Sequence, residues 1–277
     1  MTQKVGRFRP RLTSFLAILI LLVFFFPLIW MLVTSIKPHD LIYSSNPFDF
    51  SHLTMDNYFK VLHDTSFIRW IINSFIVAVV STFISLVVSI FAAYSFIKFD
   101  FPGKDSIWKG ILICYLLPTS LLFIPLYTFI TKLGLFDTYF ALILVYPSFL
   151  APFCTWLLYG YFKSIPSEIE EVALLEGCTY TQCILRIVIP VAIPGIISTG
   201  VLALTLAWGE YIYALVFINT NLLKTLPVGV ASLEAGDVYS WGPIMAAAIL
   251  SCIPPTIAYL TVQRFFLKTN IFLSLGR

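Results

Sequence analysis

Six stretches of this chain are each long and apolar enough to cross a bilayer, at about 12–34, 70–97, 107–130, 138–162, 191–218 and 242–266. A spanning helix needs roughly 20 mostly apolar residues to bridge the hydrocarbon layer. Within lipid only helices and closed barrels satisfy every backbone polar group. The fold expected from these runs is therefore an all-α membrane protein of six transmembrane helices, with little chain left for a soluble domain. The composition agrees, with 59% apolar and 11% charged residues against about 25% charge in soluble domains. The first run follows basic residues, as a signal peptide does. It is too long for the apolar region of one and lacks a small-residue cleavage site, so it reads as a retained first helix.

Charge distribution sets the orientation, because basic residues are retained on the cytoplasmic side. With the amino terminus inside, the inner segments hold Lys4, Arg7, Arg9, Arg11, Lys98, Lys104, Lys109, Lys163, Arg186, Arg264, Lys268 and Arg277. The outer ones hold Lys37, Lys60, Arg69, Lys132 and Lys224. Twelve against five places both termini in the cytoplasm. Prolines recur inside the apolar runs, at Pro27, Pro118, Pro125, Pro147, Pro152, Pro254 and Pro255. Each removes a backbone donor and bends its helix, as a broken-helix bundle around a pathway requires; proline is also commoner in membrane helices generally.

No metal site is expected. His39, His52 and His63 all lie in the outer loop between helices one and two, at separations matching no ligand pattern. Cys114, Cys154 and Cys252 fall within expected spans and Cys178 and Cys183 between helices four and five, where they read as small apolar filler.

Between helices four and five lies an acidic island: four of the 14 carboxylates fall between Glu168 and Glu176. Ser167 followed by Glu170 and Thr179 followed by Gln182 are both capping-box patterns, and Gly177 between them suits a helix end. The pattern predicts helix, bend, helix, the second running into Pro190 and Pro194 at the start of helix five. At 100° per residue, Glu171, Leu174 and Leu175 share one side of the first helix, away from Ile169 and Ala173. A helix lying on the bilayer surface is usually basic, because the inner leaflet is anionic. Four glutamates near only Lys163 and Arg186 point instead to a basic groove on a soluble partner.

The run Glu171-Val172-Ala173, three residues, Gly177, nine residues, Ile187-Val188-Ile189-Pro190 resembles the E-A-A, G, I-x-L-P loop of permease subunits of binding-protein-dependent ABC importers. The wider resemblance is to the carbohydrate-type subfamily that includes the six-helix maltose permease subunit. It is carried by "IPLYTFITKLGLFDTYFALILVY", "FKSIPSEIEEVALLEGCT", "AWGEYIYALVF", "LPVGVASL" and "QRFFL". Val172 replaces the first Ala of the family pattern, Glu176 the usual Asp before the Gly, and Gly209 the Asn that commonly precedes the acidic residue of helix five. The tail "LKTNIFLSLGR" lacks the glycine-rich ending of relatives, so no tail contact is carried over.

That resemblance implies a type I ABC importer permease fold in a bacterial or archaeal cytoplasmic membrane. Residues 1–69 would form the first helix and outer loop, 70–266 the core permease domain with its coupling loop at 163–190, and 267–277 a cytoplasmic tail. It implies an ATPase-coupling set of Glu170, Glu171, Val172, Ala173, Leu174, Leu175, Gly177, Ile187 and Pro190. The implied partners are a second homologous permease subunit, two copies of a cytoplasmic ABC ATPase, an extracytoplasmic solute-binding protein, a carbohydrate substrate and the lipid bilayer; no nucleic acid is expected. The chain is expected to be a pore-forming subunit and not an enzyme. It has no G-x-x-x-x-G-K-[ST] loop, since Gly103-Lys104 is followed by Asp105. ATP and magnesium would thus be bound by the partner ATPase and no cofactor by this chain.

Helix five holds the one clear intramembrane acid, Glu210, flanked by Trp208, Tyr211 and Tyr213. A carboxylate inside a span is costly and reads as functional or interior-facing. These four residues are candidates for the translocation pathway. The rival is an ion-coupled secondary carrier using Glu210 as its proton site, which leaves the acidic island unexplained. A membrane-embedded enzyme would need facing His, Asp or Glu groups at depth, and no histidine lies in any span.

Overall fold

The computed structural model describes residues 10–43, 49, 52–233 and 240–275, with backbone alone for 10–13, 119–120 and 264–275. Lys4, Arg7, Arg9 and Arg277, which enter the orientation argument, lie outside the described residues. Every regular element among the described residues is helical. Among the described residues five helices are long and apolar enough to cross a membrane, or six if a sharply bent pair counts as one span. The chain divides into two compact units, Met1–Phe67 with Val230–Cys252, and Ile68–Gly229 with Ile253–Arg277.

In the first unit, α1 (Pro10–Ser35) is apolar on all sides, and its membrane window buries nothing within the chain. Such a helix faces lipid or a partner. The outer loop forms two short helices, α2 (His39–Ile42) and α3 (Asp56–His63). Asn57 fastens α3 to the end of α1, its amide donating to the carbonyls of Ser35 at 2.9 Å and Lys37 at 2.8 Å.

The second unit is built on α4 (Phe67–Lys98). Ala78, Ser81, Ser85, Ser89 and Ala93 repeat at three- and four-residue intervals along one face and are all fully buried. Lipid offers no hydrophobic drive for helix association, so small residues that let backbones approach closely mark the packed face. Ser89 there donates to the Ala151 carbonyl at 2.9 Å. The run expected as one helix over 107–130 is instead α5 (Lys104–Leu116) and α6 (Thr119–Lys132), bent by 101°. The bend falls where Pro118 removes a donor and forces Leu117 into an extended conformation, ψ 134°.

The fourth run forms α7 (Tyr139–Val145) and α8 (Pro147–Phe162), joined through Tyr146. The acidic island forms α9 (Glu168–Leu175) and α10 (Tyr180–Cys183), followed by a π-helical turn at Ile184–Val188 and then α11 (Ile189–Trp208). The fifth run, expected to continue to 218, stops at Trp208 and resumes as α12 (Ile212–Phe217). After a 3₁₀ turn at Asn221–Leu223 come α13 (Leu226–Ala231) and α14 (Trp241–Leu275), which outlasts its expected end at 266. One buried cluster gathers Val77, Ile130, Leu142, Tyr146, Leu150 and Phe217. A second, adjoining the acidic island, gathers Ile90, Ala93, Tyr94, Leu158, Phe162 and Ile184.

Candidate functional site

Helix α9 begins without the side-chain cap its sequence suggests. Ser167 already has helical angles and makes no side-chain cap bond; its carbonyl accepts the first helical N–H groups, from Glu170 at 3.1 Å and Glu171 at 3.0 Å. The Ser167–Glu170 capping box does not form because the Glu170 carboxylate turns inward. There it lies 2.5 Å from Lys98 Nζ and accepts a hydrogen bond from the Tyr94 hydroxyl. Glu170 is only 4% exposed. A carboxylate can be buried this way only with its charge paired and its oxygens bonded.

The helix ends as expected. Gly177 adopts φ +92°, its N–H donates to the Leu174 carbonyl at 3.1 Å, and the Cys178 N–H reaches back to Ala173 at 3.0 Å. This is the glycine-terminated αL ending. A methyl on Gly177 would meet nothing within 4 Å, so the requirement for glycine is conformational. The second capping box does form: the Thr179 N–H donates to Gln182 Oε1 at 2.9 Å, and the Gln182 N–H to Thr179 Oγ1 at 3.3 Å. The π-helical turn then leads into α11, with the Ile189 N–H donating to the Ile184 carbonyl. Pro190, which has no N–H to restore the α register, follows directly.

Glu168, Ile169, Glu171, Val172, Leu175 and Glu176 make up the exposed face of α9. Leu175 is 88% exposed. Ala173 is buried and Leu174 and Ile187 are half-buried. Ile169 is thus exposed although it lies away from the expected Glu171, Leu174 and Leu175 side, and Leu174 is only half available. An exposed carboxylate beside Val172 and Leu175 is a surface that a cationic, apolar-lined cleft would fit. Under the helix lies a cavity of about 140 Å³ bounded by Ile97, Lys98, Phe162, Ile165, Glu170 and Val188.

At the end of α11, Glu210 bridges the break to α12. Its Oε1 accepts the Tyr213 N–H at 2.8 Å and its Oε2 the Ala214 N–H at 3.1 Å. Both oxygens cap the first turn of α12, where backbone donors have no partner of their own. Tyr213 is fully buried, stacked on Phe149 at 5.8 Å, and Trp208 is nearly so. Tyr211, 39% exposed, is the accessible aromatic of the four pathway candidates.

Two clamps beside this break were missed from sequence. Asp137, at φ +59°, accepts the Asn219 N–H at 2.8 Å, the Thr220 N–H at 2.9 Å and the Thr220 hydroxyl at 2.5 Å. Burial pushes its carboxyl up, but these bonds prevail and hold it below the ordinary aspartate value. At the start of α4, the Asn73 amide donates to the carbonyls of Leu222 and Lys224, both at 2.8 Å, and Trp70 Nε1 donates to Asn221 at 3.0 Å. Polar groups three residues apart in an apolar run were the available signal.

Comparison with known proteins agrees with this architecture. Residues 85–269 match the family described as "Binding-protein-dependent transport system inner membrane component". The chain is 32% identical over 256 residues to the trehalose/maltose transport system permease protein MalG of Thermococcus litoralis, covering 91% of each. It is 33% identical over 251 residues to the sulfoquinovosyl glycerol transport system permease protein SmoH of Agrobacterium fabrum, covering 90% of this chain and 88% of that one. Its fold is similar to that of a chain in the crystal structure of a bacterial ABC transporter involved in the import of the acidic polysaccharide alginate. The TM-score is 0.79 at 22% identity, over 96% of this chain and 99% of that one.

Proposed function

This chain belongs to the family of binding-protein-dependent transport system inner membrane components, and from that premise we propose that it is the permease subunit of an ATP-driven importer of a carbohydrate or sugar-like solute. The substrate class is supported by its relatives, which are named for the transport of trehalose/maltose and of sulfoquinovosyl glycerol. A second permease subunit completes the pathway. A solute-binding protein delivers substrate from outside, and two cytoplasmic ATPases, which bind ATP and magnesium, drive the cycle. Both termini lie on the ATPase side.

The observation that carries the coupling role is α9, an acidic helix with Glu171, Val172 and Leu175 exposed along one face and a glycine-terminated end. In this reading Glu171 accepts a charge-assisted bond from a basic ATPase residue. The neighbouring apolar side chains fill the cleft. Rocking of the permease halves follows from the ATPases closing on α9.

The secondary-carrier alternative is not favoured. Both Glu210 oxygens accept backbone N–H bonds at the start of α12, a structural use that a cycling proton would disrupt. Within the candidate pathway, Tyr211 is the residue available to stack on a sugar ring, whereas Trp208, Glu210 and Tyr213 shape the break beside it.

The test is mild affinity purification of the tagged chain from its own membranes, with co-purifying proteins identified by mass spectrometry. Recovery of a second permease, a P-loop ATPase and a solute-binding protein is the expected result, and the ligand of that last protein names the substrate. Recovery of the chain alone, with uptake in vesicles lacking ATP, overturns the importer reading.

A further inference from the structure

Glu170 belongs to the acidic island but faces away from its exposed side. Its two carboxylate oxygens are both held by α4, Oε2 by Lys98 and Oε1 by Tyr94, one helical turn apart. We propose that this cluster of buried Glu170 and Tyr94 with half-buried Lys98 is a tie that converts displacement of α9 into movement of α4, making Lys98, Glu170 and Tyr94 positioning residues for coupling. The proposal rests on the reading of α9 as the ATPase-facing helix.

The tie is needed because α9 has little other hold on the bundle. Its eight residues bury Glu170 and Ala173 and half-bury Leu174, while the others are exposed. A cavity of about 140 Å³, lined by Ile97, Phe162, Ile165 and Val188, opens beside the ion pair. An ion pair whose carboxylate is buried and bonded at both oxygens resists separation in a fixed direction, because pulling it apart strands the Glu170 charge in a poorly solvated place.

The helix at the other end of the tie is suited to carry the pull. Of the six apolar runs, the one that forms α4 alone contains neither proline nor glycine, so it lacks the residues that kink a helix most sharply. The 32 residues of α4 extend about 48 Å. About two and a half turns before its Lys98 end, Ser89 is bonded to α8. At its far end Trp70, Asn73 and Ser74 bind Asn221, Leu222, Lys224 and Leu226, in the segment that follows α12. Displacement of α9 therefore reaches the opposite end of this unit through one uninterrupted lever.

The test uses the complete transporter in vesicles, with solute molecules imported per ATP hydrolysed as the readout. Lys98→Met/Glu170→Met replaces the pair with apolar side chains, an exchange that is often neutral for stability. The expected result is an assembled complex whose thermal midpoint falls only by the loss of the Tyr94 hydroxyl's acceptor. Its import ratio is expected to fall about fivefold. An assembled double variant that imports at the wild-type ratio overturns the tie.

Should that variant not assemble, Tyr94→Phe, which removes one hydroxyl, decides the matter. A fall of about twofold is expected, and an unchanged ratio overturns the proposal. A wild-type complex with no ATP-dependent uptake overturns instead the importer reading, and the tie with it.

Discussion

Asp137 sits at φ +59°, a conformation that aspartate and asparagine tolerate better than other side chains. Asp137→Asn therefore keeps the backbone and removes the charge that binds Asn219 and Thr220. Because the folded-state carboxyl lies below its ordinary value, its contribution to stability is full above the unfolded-state value. It is lost as pH falls through the folded one, below about 4. The substitution is expected to lower stability at pH 7 by about 1 kcal/mol after allowing for solvent screening. The gap from wild type should close in acid, as thermal unfolding in detergent at both pH values will register. At this scale Gly177 and the Thr179–Gln182 cap were legible, because each is satisfied by neighbours within five residues. Glu170 was not. Polarity alone directs a glutamate outward and Ile169 inward, and only the partner cation on α4 reverses that order.

Among the elements, α8 and α11 meet where Gly195 lies against Tyr161. A methyl added at Gly195 would come to 2.4 Å from the Tyr161 ring, whereas one added at Gly160 meets nothing within 4 Å. Gly195→Ala is expected to cost about 1–3 kcal/mol through overpacking. Gly160→Ala should be neutral or stabilising by the gain in helix propensity, and denaturation of the two purified variants distinguishes them. The six apolar runs located the spans to within a few residues at most ends. What they concealed were the interruptions. Pro118 marks a bend but not its 101°. The stop after Trp208 has no proline near it; it depends on Glu210 being placed to start α12, and the π-helical turn before α11 likewise has no periodic signature.

For the whole molecule, the decisive expectation concerns energy transfer. Glu171→Ala removes an exposed carboxylate and leaves the folded chain intact, so expression and assembly should be unchanged. Uptake in the reconstituted transporter should fall about tenfold at undiminished basal ATP hydrolysis. Unaltered uptake would show that the ATPase docks elsewhere. The sequence by itself determined that the chain spans the membrane as helices, because lipid leaves apolar runs of that length almost no other way to satisfy their backbone. It also determined the helix, bend and helix of the acidic island, because caps and glycine endings are local. Only the tertiary structure decided that Glu170 is an anchor to Tyr94, 76 residues away in sequence, and that Glu210 begins a helix. It alone decided, too, that Asp137 and Asn73 clamp the segment beyond α12. The physical reason is the same in each case: a buried polar group goes where its partner is, and that partner is brought near only by the packing of distant helices.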